Sequence, residues 1–299
     1  MNISANKSGQ ALLIILLAMA TLTTVVMSIV SRSISEVEIT NREEESLRAF
    51  SAAEAGIEQA LVTAAVGTSV SDNLEVPTTP NNQTGISEYN ADVSSFPAAL
   101  NSFTYPVEML SGESVTIWLV TRDGNTIYDC SSQPCYSGNS IQLCWGEDGI
   151  AATNPQAPAV IVSYAFEDSS GNLALTQMAY DPNSSRRSSN NFSPASTSPS
   201  CTIDGVTYSF QTTMDLNALG LPVGTPGRVK YMRVKSLYNT SSAQRIGISS
   251  ASNFPPQGKV VTSVGKSGNS TRKIEAYLLN PTIPSLFESA IYSPFGITK

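Results

Sequence analysis

The chain has 299 residues, room for one long helix and one or two globular domains, and its composition removes several function classes. It contains no histidine, which excludes a Ser-His-Asp triad, a Cys-His dyad and any His-ligated zinc site. With 17 Lys and Arg against 24 Asp and Glu, a net charge of −7 and no cation between Arg48 and Arg122, general nucleic-acid binding is not expected.

Charged residues make up 14% of the chain, well below the roughly 25% of ordinary soluble domains. Ser, Thr and Asn supply the polarity instead, as suits a protein exported from the cytosol. Residues 11–30, ALLIILLAMATLTTVVMSIV, are uncharged and rich in Leu, Ile, Val and Ala. At 1.5 Å per residue such a helix is about 30 Å long, the thickness of a bilayer's hydrocarbon core. A conventional secretory signal would be shorter and would give way to polar sequence at a small-residue cleavage site. Here a helical pattern continues instead.

Residues 32–65 contain no Pro and, apart from Gly56, no Gly. Leu47, Phe50, Ala53, Ile57, Ala60, Leu61 and Ala64 recur at spacings of three and four, which predicts one apolar face for docking on a globular head. Glu36, Glu43, Glu44, Glu54, Glu58 and Gln59 form the solvated remainder, and Glu44 with Arg48 is an i,i+4 pair. The expectation is a single helix over 10–67, transmembrane over 11–30 and amphipathic over 32–65.

The nine-residue stretch MNISANKSG, with Lys7 as its one cation, precedes that apolar run, and Gly9 stands immediately before Gln10. This junction resembles a prepilin signal of the type IV pilin superfamily. SGQALLIILLAMATLTTVVMSIVSRS followed by EEESLRAFSAAEAGIEQAL, above all the block Ala52–Leu61, is similar to the PilX-like minor pilin N-terminal family. The resemblance covers residues 1 to about 65. It implies a leader over 1–9, cleavage after Gly9 by a prepilin peptidase, and methylation of the Gln10 α-amine. It also implies storage in the cytoplasmic membrane and assembly with other pilin subunits into a filament. Major pilins carry Glu at the fifth mature position to neutralise a neighbour's amine; here that position is Ile14. A buried amine without a carboxylate is costly, so the resemblance implies a minor, tip-located subunit, unless Ile14 simply faces lipid.

Residues 68–114 are rich in Ser, Asn, Pro and Thr, with a turn cluster at 77–85, and are expected as a connector with a short helix near Phe96–Leu100. A β-rich head is expected over 115–280. Its strands are predicted at 115–120, 159–166, 173–180, 206–214, 229–238, 259–265 and 272–279, joined by turns such as DSSGN at Asp168–Asn172. The predicted fold class is therefore α+β: a long N-terminal helix followed by a mostly antiparallel, pilin-like β domain, with a C-terminal tail over 281–299. The polar, low-complexity stretch Asn183–Ser200 is expected as an exposed loop, where Arg186 and Arg187 are read as a solvated loop tip, with contact to an anionic partner as the alternative.

Cys130, Cys135, Cys144 and Cys201 all lie beyond the apolar helix. The spacing C-x4-C-x8-C-x56-C lacks the C-x2-C hairpin of structural zinc sites, so disulfides in an oxidising compartment are expected, with three pairings open. The carboxylate neighbours Glu147–Asp148 and Glu167–Asp168 are the nearest approach to a catalytic pair. Successive residues of an extended chain point to opposite faces, so neither pair is expected to converge on a substrate. No enzyme activity, metal or cofactor is expected. Two readings remain: a minor type IV pilin or pseudopilin acting by assembly, or an anchored, non-polymerising adhesive β-domain. Both are single-pass, with the N-terminus cytoplasmic and the head outside, the first reaching the pilus after assembly.

Overall fold

The computed structural model describes residues 8–76, 85–123, 126–127, 130 and 135–282. The turn cluster expected at 77–84, most of the expected tail and the leader up to Lys7 lie outside these residues. Helix α1 runs unbroken over Ser8–Thr63, 56 residues, a rod of about 84 Å. Strands β1 (Ser69–Val76), β2 (Gly85–Phe96), β3 (Ser102–Thr104), β4 (Ser114–Trp118), β5 (Arg122–Asp123), β6 (Thr126–Ile127) and β7 (Ser140–Glu147) follow. Next come β8 (Ala159–Glu167), β9 (Leu173–Asp181), helix α2 (Ser184–Asn190), β10 (Ser193–Pro194), β11 (Cys201–Ile203) and β12 (Val206–Asp215). Strands β13 (Val229–Leu237), β14 (Ile246–Ser249), β15 (Gly258–Ser267) and β16 (Ser270–Leu279) complete the order. The α+β class expected from the sequence is present: a long apolar N-terminal helix, then mostly antiparallel strands.

Two compact units divide the chain. One comprises the residues up to Val93 with Val261–Ala276, the other Ser94–Val260 with the residues from Tyr277 on. The expected single head over 115–280 is thus corrected, and so is the connector over 68–114. In β2, Ser87, Tyr89, Ala91 and Val93 are buried while Glu88, Asn90 and Asp92 are exposed. That is a period-two strand pattern written in residues of low β propensity. Its neighbour β15 in the sheet order β1-β2-β15-β16 arrives only from the far end of the chain. The helix expected near Phe96–Leu100 is absent, because β2 runs to Phe96 and the residue before a proline is kept from the helical region.

The second unit is a sandwich of two five-stranded sheets, β10-β9-β8-β13-β4 and β11-β12-β7-β14-β3. The pairs β3/β4, β7/β8 and β13/β14 each occupy matching places in the two sheets, so consecutive strands cross from one sheet to the other. Ile117, Val162, Tyr164, Met232 and Val234 of one sheet meet Leu143, Trp145, Phe210 and Ile248 of the other in one core. Polar atoms carried into it find partners: Trp145 Nε1 donates to the Pro158 carbonyl at 2.9 Å, and the Tyr105 hydroxyl donates to the Thr116 carbonyl at 3.4 Å. Burial pushes the Tyr105 hydroxyl up to about 12 from its ordinary 10.0.

The stretch 183–200, expected as a solvated loop, is ordered by a buried carboxylate. Asp181 is fully buried and accepts from Arg186 Nε at 3.1 Å, Arg186 Nη2 at 2.8 Å and Asn190 Nδ2 at 2.8 Å. Asn183 caps α2 by accepting from the backbone of Ser185 and Arg186, and the Arg186 guanidinium lies 4.1 Å over the Tyr238 ring. Arg187 donates to the carbonyls of Asp181 and Pro182. Both arginines are engaged internally, which corrects the expected solvated loop tip and leaves neither free for the alternative anion contact.

The cysteines pair as Cys130–Cys135 and Cys144–Cys201, leaving none free. The second bond ties the central β7 to the edge strand β11 across a sequence separation of 57, against 5 for the first. Loop-closure entropy makes the longer loop the larger stabiliser. Replacing Cys144 and Cys201 together by Ala is expected to cost about 4 kcal/mol, against about 2 kcal/mol for Cys130 with Cys135, measured by urea unfolding. A second prediction concerns alkali. Because the folded state holds the Tyr105 proton more tightly than the unfolded chain, the contribution of Tyr105 to stability is constant below pH 10. It then falls by roughly 2–3 kcal/mol as pH rises towards 12, and the Tyr105→Phe variant loses correspondingly less across that range.

Candidate anchoring and docking surface

Helix α1 divides into three stretches by what surrounds it. From Leu12 to Val30 every side chain is exposed, including Leu13, Ile14, Leu16, Leu22, Met27 and Ile29, and an 18-residue window reaches a mean hydropathy of 2.5. In water such a surface is unstable. At about 0.8 kcal/mol per methylene it belongs in lipid or against other apolar helices. Gly9 and Gln10, the expected processing residues, lie in the first turn of the helix, and its described side chains begin at Leu12.

From Ser31 to Glu44 the helix stays fully exposed but turns polar. Arg42 Nη2 bonds Glu38 Oε1 at 2.5 Å, and Arg48 pairs with Glu44. Such exposed i,i+4 pairs support a helix only weakly. This stretch, about 21 Å long, touches no other described element.

Docking begins at Glu45. The seam consists of Ala49, Ala52, Ala53, Gly56 and Ala60, all buried. Small residues are required because the backbones approach closely. A Cβ at Gly265 of β15 would strike the Ala49 carbonyl and lie 2.5 Å from the Ala53 nitrogen. A Cβ at Gly56 would meet the Ser263 hydroxyl and stand 2.8 Å from the Tyr89 ring. Ala60, Ala91, Val93 and Val261 close a small apolar cluster at the seam's far end, with Ile57, Ala64 and Val70 beside it. The start is clasped by the β15–β16 hairpin: the Asn269 amide donates to Glu45 Oε2 at 3.1 Å. Arg272 Nε and Nη2 donate to Ser46 Oγ at 2.9 and 2.5 Å.

This corrects the predicted docking face. Leu47 is 68% exposed, and Phe50 and Leu61 are exposed as well. Of the expected stripe, Ala53 and Ala60 are buried, Ile57 and Ala64 are half-buried, and the larger residues sit on the opposite, outward side. The signal was present as the spacing Ala49, Ala52, Ala53, Gly56, Ala60, a row of small side chains at three and four. Volume, rather than hydrophobicity, decides which face of the helix docks.

Elsewhere, Glu147 and Asp148 do share a cleft of about 710 Å³ in the sandwich, with Glu108 and Arg245 on its wall. Strand β7 ends at Glu147 and Asp148 enters a turn, so the alternation expected to separate them no longer applies. Glu167 is engaged with Lys230 Nζ at 2.9 Å. Asp168 accepts from the Asn172 and Ser170 amides, which hold its carboxyl below the ordinary 3.8. Among the described residues no group of three or more His, Cys, Asp and Glu is placed to hold a metal ion. No known protein family, curated protein or solved structure matches this chain.

Gly265→Val drives a side chain into the α1 backbone and is expected to cost about 3 kcal/mol. Gly224→Ala, with open space around it, serves as the near-neutral control. Trypsin reports the site of damage: cleavage after the docked Arg48 is expected to rise in the valine variant, while cleavage after the undocked Arg42 stays at its wild-type rate.

Proposed function

We propose that this chain is a minor type IV pilin or pseudopilin, a structural subunit stored in the cytoplasmic membrane and used by insertion into a filament. The observation that carries this reading is the continuity of α1: one rod whose apolar third is wholly exposed and whose last third is clamped to a sheet. A subunit transferred from lipid to a bundle of like helices needs such a rod, apolar where it must leave one greasy medium for another and rigidly joined to the part it carries. The outward-facing Leu47, Phe50 and Leu61 extend the apolar surface beyond the membrane stretch, which supports packing against neighbours in an assembly. Two disulfides in the β portion support an oxidising location for it, outside the membrane, with the N-terminus inside. Ile14, where a shaft subunit would carry a carboxylate, supports a place at the filament tip. The working surface is thus an assembly surface, and the acidic cleft is assigned no chemistry.

The alternative, a non-polymerising anchored binding domain, would use the 183–200 stretch as its contact, and Arg186 and Arg187 there are committed to Asp181 and to backbone carbonyls. The two readings diverge at the N-terminus. Purified from a host with an active prepilin peptidase, the protein is expected to lack residues 1–9 and to carry one methyl group on Gln10 by mass spectrometry. An intact Met1 overturns the proposal and leaves the anchored domain.

A further inference from the structure

Unpaired strand edges are templates for pairing with another chain, and folded proteins blunt them with charge, brevity or cover. Most long edges here are treated in that way. The amide of Gln257 accepts from the Trp118 backbone at 2.7 Å and donates to its carbonyl at 2.9 Å, imitating a partner strand beside β4. Edge strands β3 and β11 are three residues each. Strand β16 carries Arg272, Lys273 and Glu275, and β1 carries the exposed Asp72.

Strand β9 has none of these guards. Its neighbour β10 pairs only with Tyr180 and Asp181, which leaves the edge from Leu173 to Ala179, LALTQMA, with no charge, proline or glycine. No described residue bonds the backbone of that edge from outside. Leu173 is 70% and Leu175 54% exposed, the two highest values for large apolar side chains among the described residues of the sandwich unit. The strand is also held straight at both ends. Asp168 accepts from the Ser170 and Asn172 amides before it, and the Asp181–Arg186–Asn190 knot pins it behind. An extended edge fixed in this way has already lost the entropy that pairing would otherwise cost.

We propose that the β9 edge is a pairing site for the same edge of a second copy of this chain, antiparallel about a two-fold axis at Thr176. The sequence is self-complementary in that register. Leu173 then stands opposite Ala179 and Leu175 opposite Gln177, so the Leu175 side chains of the two copies meet as diagonal neighbours within reach of one another, and each Leu173 covers the Ala179 of the other copy. Because the edge bears no charge, the two-fold brings no like charges together, and a self-paired edge closes without leaving a free one. The absence of charge equally disfavours a nucleic acid or a strongly charged peptide. This inference is independent of the filament reading, since it concerns the sandwich alone.

The full chain has no free cysteine, so an introduced thiol is unique. In detergent-solubilised full-length protein, Gln177→Cys places two exposed thiols across the proposed axis within reach of a short bis-maleimide. Ser170→Cys places them in the turn beyond the pairing. Dimer yield with Gln177→Cys is expected to exceed that with Ser170→Cys by at least tenfold, and adding Leu175→Lys is expected to remove the excess. A thermal melt unchanged by Leu175→Lys checks that the sandwich is intact. Equal yields at the two positions, as association through the α1 helices alone would give, overturn the proposal. So does a Gln177→Cys yield insensitive to the lysine.

Discussion

The close approach of helix α1 to strand β15 is the constraint on which the first unit depends. The helix can carry a long undocked extension only if its docked portion is held rigidly, and rigidity here comes from proximity. Gly265 beneath Ala49 and Ala53, and Gly56 above Ser263 and Tyr89, bring backbone against backbone. Dispersion between surfaces so close is large in sum. The fit has a cost as well: the hydroxyls of Ser87 and Ser263 are buried with no hydrogen-bond partner among the described residues. Leaving such groups unsatisfied costs on the order of 1–3 kcal/mol each. That they persist at the seam is consistent with volume, rather than hydrogen bonding, being what the site selects.

Much of the fold was legible from periodicity. The long helix, its apolar first third and seven strands follow from runs of β-branched and aromatic residues. Strand β7 is hidden in the sequence although Ile141, Leu143 and Trp145 alternate in it, because Ser, Gln and Cys between them lower its apparent strand character. Strand β2 is hidden because Glu, Asn, Asp and Ser fill its exposed face. The division into two units was not legible at all, since it depends on β15 and β16 returning across most of the chain to join β1 and β2.

The docking seam illustrates a different limit. Hydrophobic periodicity identifies a face that avoids water, and Leu47, Phe50 and Leu61 form one. Yet a helix laid close on a sheet needs a face without bulk, which Ala49, Ala52, Ala53, Gly56 and Ala60 provide. The larger stripe is left outside, exposed among the described residues. In the same way a polar, repetitive stretch at 183–200 concealed an ordered helix, because its organiser, the buried carboxylate of Asp181, lies just ahead of it.

These features make one mechanical object: a greasy rod, a polar spacer and a clamped end joined to disulfide-bonded β structure. Hydrogen exchange of the full chain with and without lipid tests that object directly. Amides of Leu12–Val30 are expected to become protected only when lipid is present. Those of Ser31–Glu44 should exchange fast in both states, and those of Ala49–Ala60 should be slow in both. A chain whose Leu12–Val30 amides stay unprotected in lipid, or whose Ala49–Ala60 amides exchange as fast as the spacer's, would contradict the account.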